Sequence, residues 1–426
     1  MSKRTFKLST IKLYLFVMAI VVVTRSFSTR IFPSSGFERI LIVAVTVLPI
    51  LKVKLRINFL DALWAITGII ILVHHDSMYS GLYITIYICV LMSRIFLKKR
   101  LYDVEILLKI LIVFSLVTSI VTWISVIARP IYINFIVPFI NESGQSEVIS
   151  ELNVGNLAGL TNHYSRNAYY VVAGIIILMS DIWSENDKRM KSSKNIKWAL
   201  VVFEITTLLA IGKRGHTVFL LLTLYLAYMV LQQTFTKQFF NSIRAIIIVI
   251  IAAILIFRFV PAAQHILERF IAESASEDVS NGRFTNYAIA FNLFKAHPIF
   301  GIGYGGFSGL TARGLTQDRF AGVHNDYIQF LCETGIVGFV FFIGLGIHSM
   351  VVATISLRKI IKNYDVDKRI KKLAIWTFMF QIFVLMYSLT GLPHFDFEIN
   401  TVYIIACAVS NVIFTQRKGV SLGDNL

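Results

Sequence analysis

Apolar residues run almost without interruption through stretches such as 169–179 and 245–256, with neither the two-residue alternation of a half-buried strand nor the single stripe of a surface helix. A helix apolar on every side is stable only where every side meets an apolar medium. Runs of this kind fall at 9–25, 37–51, 58–74, 79–97, 105–127, 167–184, 198–212, 217–232, 245–261, 326–356, 373–391 and 399–414. Strands of an outer-membrane barrel would alternate apolar and polar positions, so a barrel is excluded. The pattern predicts an all-α polytopic membrane protein of about 12 transmembrane helices, one integral membrane domain over 1–426. Two connections, 128–166 and 261–323, are long enough to carry structure of their own.

Composition agrees: 56% of residues are hydrophobic and 15% charged, with a mean hydropathy of +0.71. A soluble domain holds about 45–50% apolar and about 25% charged residues. Cys89, Cys332 and Cys407 all lie in apolar runs without paired spacing, so they read as small core residues rather than a disulfide framework or a zinc site. The first run is followed by Arg25 instead of a small-residue cleavage site, which makes it the first span.

Charge sets the orientation. With the N-terminus inside, 26 of the 41 Lys and Arg residues fall in the cytoplasmic connections and 13 on the other side, with Lys12 and Lys109 inside spans. Both termini are therefore expected in the cytoplasm, and the long loop at 262–323, between spans nine and ten, outside. The net charge of +17 is mostly topology, so no nucleic-acid partner need be invoked. The cytoplasmic cations are 17 Lys and 9 Arg, whereas the outer ones are 11 Arg with only Lys213 and Lys295. A guanidinium is a planar fork suited to phosphate or carboxylate, so an outer anionic ligand is one reading and ordinary surface ion pairs the other. Eight of the nine histidines, all but His348, map to the outer side or its edge.

Several outer residues could carry chemistry. Arg283 opens an amphipathic pattern with Phe284, Tyr287, Phe291 and Phe294 on one face, ended by His297-Pro298. A cation there opposes the helix dipole unless an anion joins it, either a ligand or Glu277 or Asp278. Gly301-Ile302-Gly303-Tyr304-Gly305-Gly306 formally matches a dinucleotide fingerprint but lacks the strand–turn–helix context, so a turn for close backbone packing is expected. In His324-Asn325-Asp326-Tyr327-Ile328-Gln329, the spacing of Asp326 and Gln329 predicts a capping box with Asp326 as N-cap. His324 would then sit at the positive end of the helix, held neutral as a general base must be, or merely satisfied by loop carbonyls. Lys213-Arg214 forms a short outer hairpin that suits a lipid-borne phosphate or ordinary headgroups. Glu204 is the one central charge in the spans, with Lys109 as its expected balance; no H-E-x-x-H or similar metal spacing occurs.

Taken together, the run from Gly282-Arg283 through Pro298-Ile299-Phe300-Gly301-Ile302-Gly303 and Phe307 to His324-Asn325-Asp326-Tyr327-Ile328-Gln329-Phe330-Leu331-Cys332-Glu333-Thr334-Gly335 resembles the O-antigen ligase/polymerase superfamily. The resemblance covers roughly 214–342. It implies a GT-C-like, metal-independent, inverting membrane glycosyltransferase with no cofactor, part of whose active site lies in the loop at 262–323. The donor would be a saccharide on undecaprenyl pyrophosphate, used at the outer face of a bacterial cytoplasmic membrane. Carried over by position, His324 is the catalytic histidine, and Arg283 and Arg214 hold the pyrophosphate. Lys213 stands where a Ser or Thr is expected. Gly159-Leu160-Thr161-Asn162-His163-Tyr164-Ser165-Arg166 resembles the polar approach to the sixth span, making His163 and Arg166, with Asn325 and Tyr327, candidate substrate-binding residues.

The resemblance implies a repeat-unit polymerase of O-antigen or capsule, joined by a chain-length regulator as partner. A ligase that moves finished polymer to lipid A core, as in lipopolysaccharide assembly, shares the same motifs. A polysaccharide or lipid transporter is the reading of another class, for which buried charge and broken helices would be the signature.

Overall fold

Helices stand at eleven of the twelve expected spans in the computed structural model, which describes residues 9–32, 34–52, 56–76, 81–185, 191–232, 240, 243–244, 283–312, 322–362 and 366–416. The ninth, 245–261, and the predicted loop residues 262–282 and 313–321 lie outside the described residues. Among the described residues, seven helices are long and apolar enough to cross a membrane, with shorter apolar helices at Phe59–Val73 and Gly81–Phe96. The protein is therefore a helical membrane protein, and no strand occurs among the described residues.

The helices are α1 (Thr10–Thr24), α2 (Ser35–Lys52), α3 (Phe59–Val73), α4 (Gly81–Leu91), α5 (Glu105–Ile127), α6 (Glu142–Asn153), α7 (Tyr164–Ser184), α8 (Lys191–Ile211), α9 (Arg214–Leu231), α10 (Arg283–Ala296), α11 (Gly306–Ala312), α12 (Asp326–Ile361), α13 (Lys368–Tyr387) and α14 (Phe397–Gln416). Three of them form the centre of the bundle, because α7, α13 and α14 are buried over most of their apolar length. Helix α7 packs against α5, α8 and α13, and α12 packs against α13 and α14. By contrast α5 exposes Val113, Val117 and Ile120, and α2 exposes Ile40, Val43 and Val47. Apolar residues facing outward are stable only against lipid, so these helices line the perimeter.

Polar side chains inside the bundle are held by near neighbours. Glu204 of α8 is fully buried and accepts hydrogen bonds from Ser115 (2.9 Å) and Ser119 (2.8 Å) of α5. The expected partner Lys109 is exposed, so the pairing read from sequence is corrected: two hydroxyls, rather than a cation, satisfy the carboxyl. All three cysteines are buried and unpaired, as expected. On the side expected to be cytoplasmic, Lys197 bridges Asp181 (2.6 Å) and Glu185 (2.5 Å), and Lys368 also reaches Glu185 (2.8 Å), tying α7, α8 and α13 together.

Helix α12 has 36 residues, or about 54 Å at the usual rise, far more than the roughly 30 Å hydrocarbon layer. It breaks at Gly335, whose φ is 62°. A β-carbon there would stand 2.3 Å from the Ile299 carbonyl oxygen, so only glycine permits the approach. The loop after α10 fills this break. Ile302 and Gly303 donate to the carbonyls of Cys332 and Glu333, and Ile336 and Val337 donate to those of Pro298 and Ile299. Inside the loop, the amides of Gly305 (2.7 Å) and Phe307 (3.1 Å) clasp the buried Glu333 carboxylate. The glycine-rich segment is thus a close backbone packing device, as its sequence suggests, and the carboxyl group it cradles is the chain's own side chain.

Candidate active site

The first turn of α12 is anchored from several directions, and His324 takes its position from those anchors. Asn325, not Asp326, is the N-cap: its Oδ1 accepts from the Ile328 amide at 3.1 Å. The capping box expected from spacing is corrected accordingly. Asp326 turns into the protein instead, where its Oδ2 accepts from Ser388 Oγ (2.8 Å), His394 Nδ1 (2.7 Å) and the His394 amide (3.2 Å). Gln329 reaches back past the helix start and accepts from the Val323 amide at 2.9 Å. Asn325 Nδ2 also donates to the Leu389 carbonyl, and the Tyr327 hydroxyl donates to that of Leu385. Between the fixed Val323 and Asn325, His324 adopts φ 58°, the one left-handed non-glycine residue among those described. Such a conformation persists only where the surroundings over-determine it.

Around His324 stand residues from four other elements. Burial, then the charges of Arg283 at the head of α10 and Lys213 before α9, lower its pKa to about 4. The imidazole is therefore neutral at physiological pH. His163 caps α7, its Nδ1 accepting from the Ser165 amide at 3.0 Å, so Nε2 carries the hydrogen and faces Glu147 of α6 at 3.9 Å. Burial, followed by Lys213 and Arg166, lowers this second imidazole to about 4 as well. The Lys213 ammonium rests 4.4 Å from the centre of the Tyr164 ring and donates to its hydroxyl at 3.3 Å. Its pKa falls to about 8, through burial first and Arg283 second.

The cations of this cluster differ in what balances them. Arg166 is spanned by Asp396 (3.3 Å) and Glu398 (3.6 Å), with Asn162 accepting a further bond at 2.6 Å. No carboxylate among the described residues lies within ion-pair distance of Lys213 or Arg283, and Glu277 and Asp278 fall outside those residues. The head of α10 opens on Arg283 as expected, although its buried face is turned: Asn286 and Ala290 pack inward, while Phe284 and Phe291 are exposed. Hydrophobicity alone does not separate a core-facing phenylalanine from a lipid-facing one.

Of the residues singled out in the sequence, His324, Arg283, His163 and Arg166 share one cluster of charges. Asn325 and Tyr327 are engaged in fixing the turn that presents His324. Arg214 is half-buried at the start of α9, yet the charge acting on His324 from this hairpin is that of Lys213. Sequence reading named Lys213 only beside Arg214, as a contact for a lipid-borne phosphate or ordinary headgroups, and left out the Asp326–His394–Ser388 knot and the carboxylates that hold Arg166. The available signal was the Lys213 departure from a neutral hydroxyl residue and the outer position of His394. The cluster offers cations and neutral imidazoles, a set suited to an anion beside a proton acceptor.

The comparisons with known proteins bear on this same region. A family described as O-antigen ligase matches residues 199–343, a segment that runs from α8 through His324 to the middle of α12. No curated protein matches the chain. The match over residues 199–343, about a third of the chain, supports a place for this chain in the O-antigen ligase/polymerase superfamily.

Proposed function

We propose that the chain is a glycosyltransferase that moves a saccharide from undecaprenyl pyrophosphate to an acceptor sugar hydroxyl at the outer face of the cytoplasmic membrane, acting as a repeat-unit polymerase. The observation that carries this reading is the meeting of a neutral, conformationally fixed imidazole with cations that have no carboxylate partner among the described residues. Leaving charge partly buried and unbalanced is unfavourable unless an anion completes the site, and a lipid diphosphate is such an anion.

In this reaction His324 accepts the proton of the acceptor hydroxyl as its oxygen attacks the anomeric carbon from the face opposite the leaving group. The bond from that carbon to the phosphate oxygen breaks, its electron pair leaves on the lipid diphosphate, and the configuration inverts. Arg283 and Arg214 hold the diphosphate; their fixed charge meets the negative charge as it develops. Burial first, and then the two cations acting on His324, make it a weak base in the free protein. A bound diphosphate offsets them, so the base gains strength when the donor is present. Arg166, held by two carboxylates, orders the approach to α7 on which His163 sits.

The ligase reading uses the same machinery with a different acceptor, and the family's printed description favours it. The lipid-linked products of a deletion strain separate the two: single repeats pile up if the chain is a polymerase, finished polymer on its carrier if it is a ligase. Full transfer by a His324→Ala enzyme in purified form would sink both. A transporter loses ground to the family match, and the serine-bonded Glu204 has the arrangement of a structural clamp.

A further inference from the structure

Lys213 is the outer cation whose chemistry the proposed reaction has not yet used. It precedes α9 as its N-cap residue, but its side chain caps nothing. The ammonium lies on the face of Tyr164, a partner that fixes a charge in place without neutralising it. Other buried or half-buried cations here are balanced differently: Lys197 has Asp181 and Glu185, and Arg166 has Asp396 and Glu398. Among the described residues, Glu151 of α6 is the opposing charge that acts on Lys213, beyond ion-pair distance, and Arg283 acts against it. Two imidazoles, His163 and His324, both feel its charge. A half-buried cation that meets no carboxylate at ion-pair distance among the described residues is unfavourable by itself and suits a ligand that balances it.

We propose that Lys213 is a phosphate-binding residue of this site, which meets the diphosphate of the lipid-linked donor together with Arg283, and that its titration sets the alkaline limit of donor binding. The inference rests on the glycosyltransferase reading and deepens it. A guanidinium fork binds two oxygens in fixed directions, whereas an ammonium follows a phosphate oxygen through a range of directions. The pair thus suits a group that must be held before transfer and still held, with an added charge, after its bond to the sugar has broken. The groups facing Lys213 are Tyr164 and His163 of α7 and its cap, Glu151 of α6, Arg283 of α10 and His324 before α12, with Arg214 and His216 on its own helix. Of these, His163 and His324 titrate near pH 4, far below the window in which Lys213 loses its charge, about pH 8.

The test uses the full-length protein in proteoliposomes with lipid-diphosphate saccharide as donor, and compares wild type, Lys213→Ser, Lys213→Arg and His324→Ala between pH 6 and 10. Lys213→Ser should raise the donor KM about 10-fold or more at pH 7, the range of a lost hydrogen bond to a charged group. It should also flatten the alkaline fall in kcat/KM, while leaving thermal unfolding in detergent unchanged or at a higher temperature. Lys213→Arg should recover most of the donor affinity and keep it beyond pH 9. An unchanged KM and an unchanged alkaline fall in Lys213→Ser, with His324→Ala inactive, would overturn the role of Lys213 alone. Full transfer by His324→Ala would overturn the reaction on which it rests. A Lys213→Ser protein that unfolds at a clearly lower temperature, with activity restored on cooling, would make the lysine structural and also end the proposal.

Discussion

Arg166 at the head of α7 and the pair formed by Lys213 and Arg283 belong to one cluster, Arg166 acting on His163, Arg283 on His324 and Lys213 on both, but the chain balances them in opposite ways. Asp396 and Glu398 hold Arg166 within 3.6 Å, and both belong to the segment that leads into α14. Lys213 and Arg283 come from a hairpin and from the head of α10, and neither meets a carboxylate among the described residues. The first arrangement spends its charge inside the fold, joining α7 to α14. The second keeps its charge for something that arrives. Position and residue type do not distinguish them; the neighbours do.

The sharpest break of this comparison is in activity. His324→Ala should lower transfer about 10²- to 10⁴-fold, the worth of a general base, and Arg283→Ala should lower it comparably, both with the protein still in the membrane. Arg283→Lys should fail as well, since a point charge does not reproduce the bidentate fork, and normal long-chain polysaccharide in that variant would reduce Arg283 to simple charge balance. Arg166→Ala addresses the other side. It strands a buried Glu398, and the expected loss is about 3 kcal/mol of unfolding free energy in detergent. Adding Asp396→Asn and Glu398→Gln should return part of it. Stability unchanged in the single variant would mean that the two regions are not different in kind.

A pH profile sharpens the contrast further. His324 must be neutral to accept a proton, so activity is lost as pH falls through its pKa, which is about 4 in the free protein. Bound diphosphate offsets Arg283 and Lys213, so the acid limb of kcat should lie at higher pH than that of kcat/KM. Coincident limbs would mean that the donor does not bind near those cations. The smallest effect belongs to a third kind of charge site. Glu204 receives two serine hydroxyls, and Glu204→Gln keeps an acceptor there, so unfolding should shift by less than about 1 kcal/mol and transfer should persist.

Much of this was legible in the sequence because the relevant physics is one-dimensional. A lipid layer demands long apolar runs, and the helices stand where those runs are. The glycine-rich segment that starts at Gly301 announced a tight approach, which proved to be the loop seated at Gly335 in the break of α12, where β-carbons on the two glycines would meet backbone atoms at 2.3 Å. His324, Arg283, His163 and Arg166 carried the residue types and order of a known family, and they occupy one cluster. The errors came where a choice of partner was needed. Spacing made Asp326 a cap where its neighbour Asn325 takes that role, and Lys109 was read as a counter-ion for Glu204; the partners that Asp326 and Glu204 do hold, Ser388 and His394 for the one and Ser115 and Ser119 for the other, lie far away in sequence.

The chain by itself therefore determined the solvent it lives in and the positions of its helices, since burying an apolar run in lipid depends on that run alone. It also determined the stock of outer cations and imidazoles. Only the tertiary structure decided which of those cations is already balanced, because Asp396 and Glu398 stand some 230 residues beyond Arg166, with hydrogen-bonding separations of 230 and contact across helices that no local pattern encodes. The same holds for Lys213, which became a candidate through the Tyr164 ring 49 residues away and the absence, among the described residues, of a carboxylate at ion-pair distance. Electrostatic balance is a property of neighbours in space, and folding chooses them.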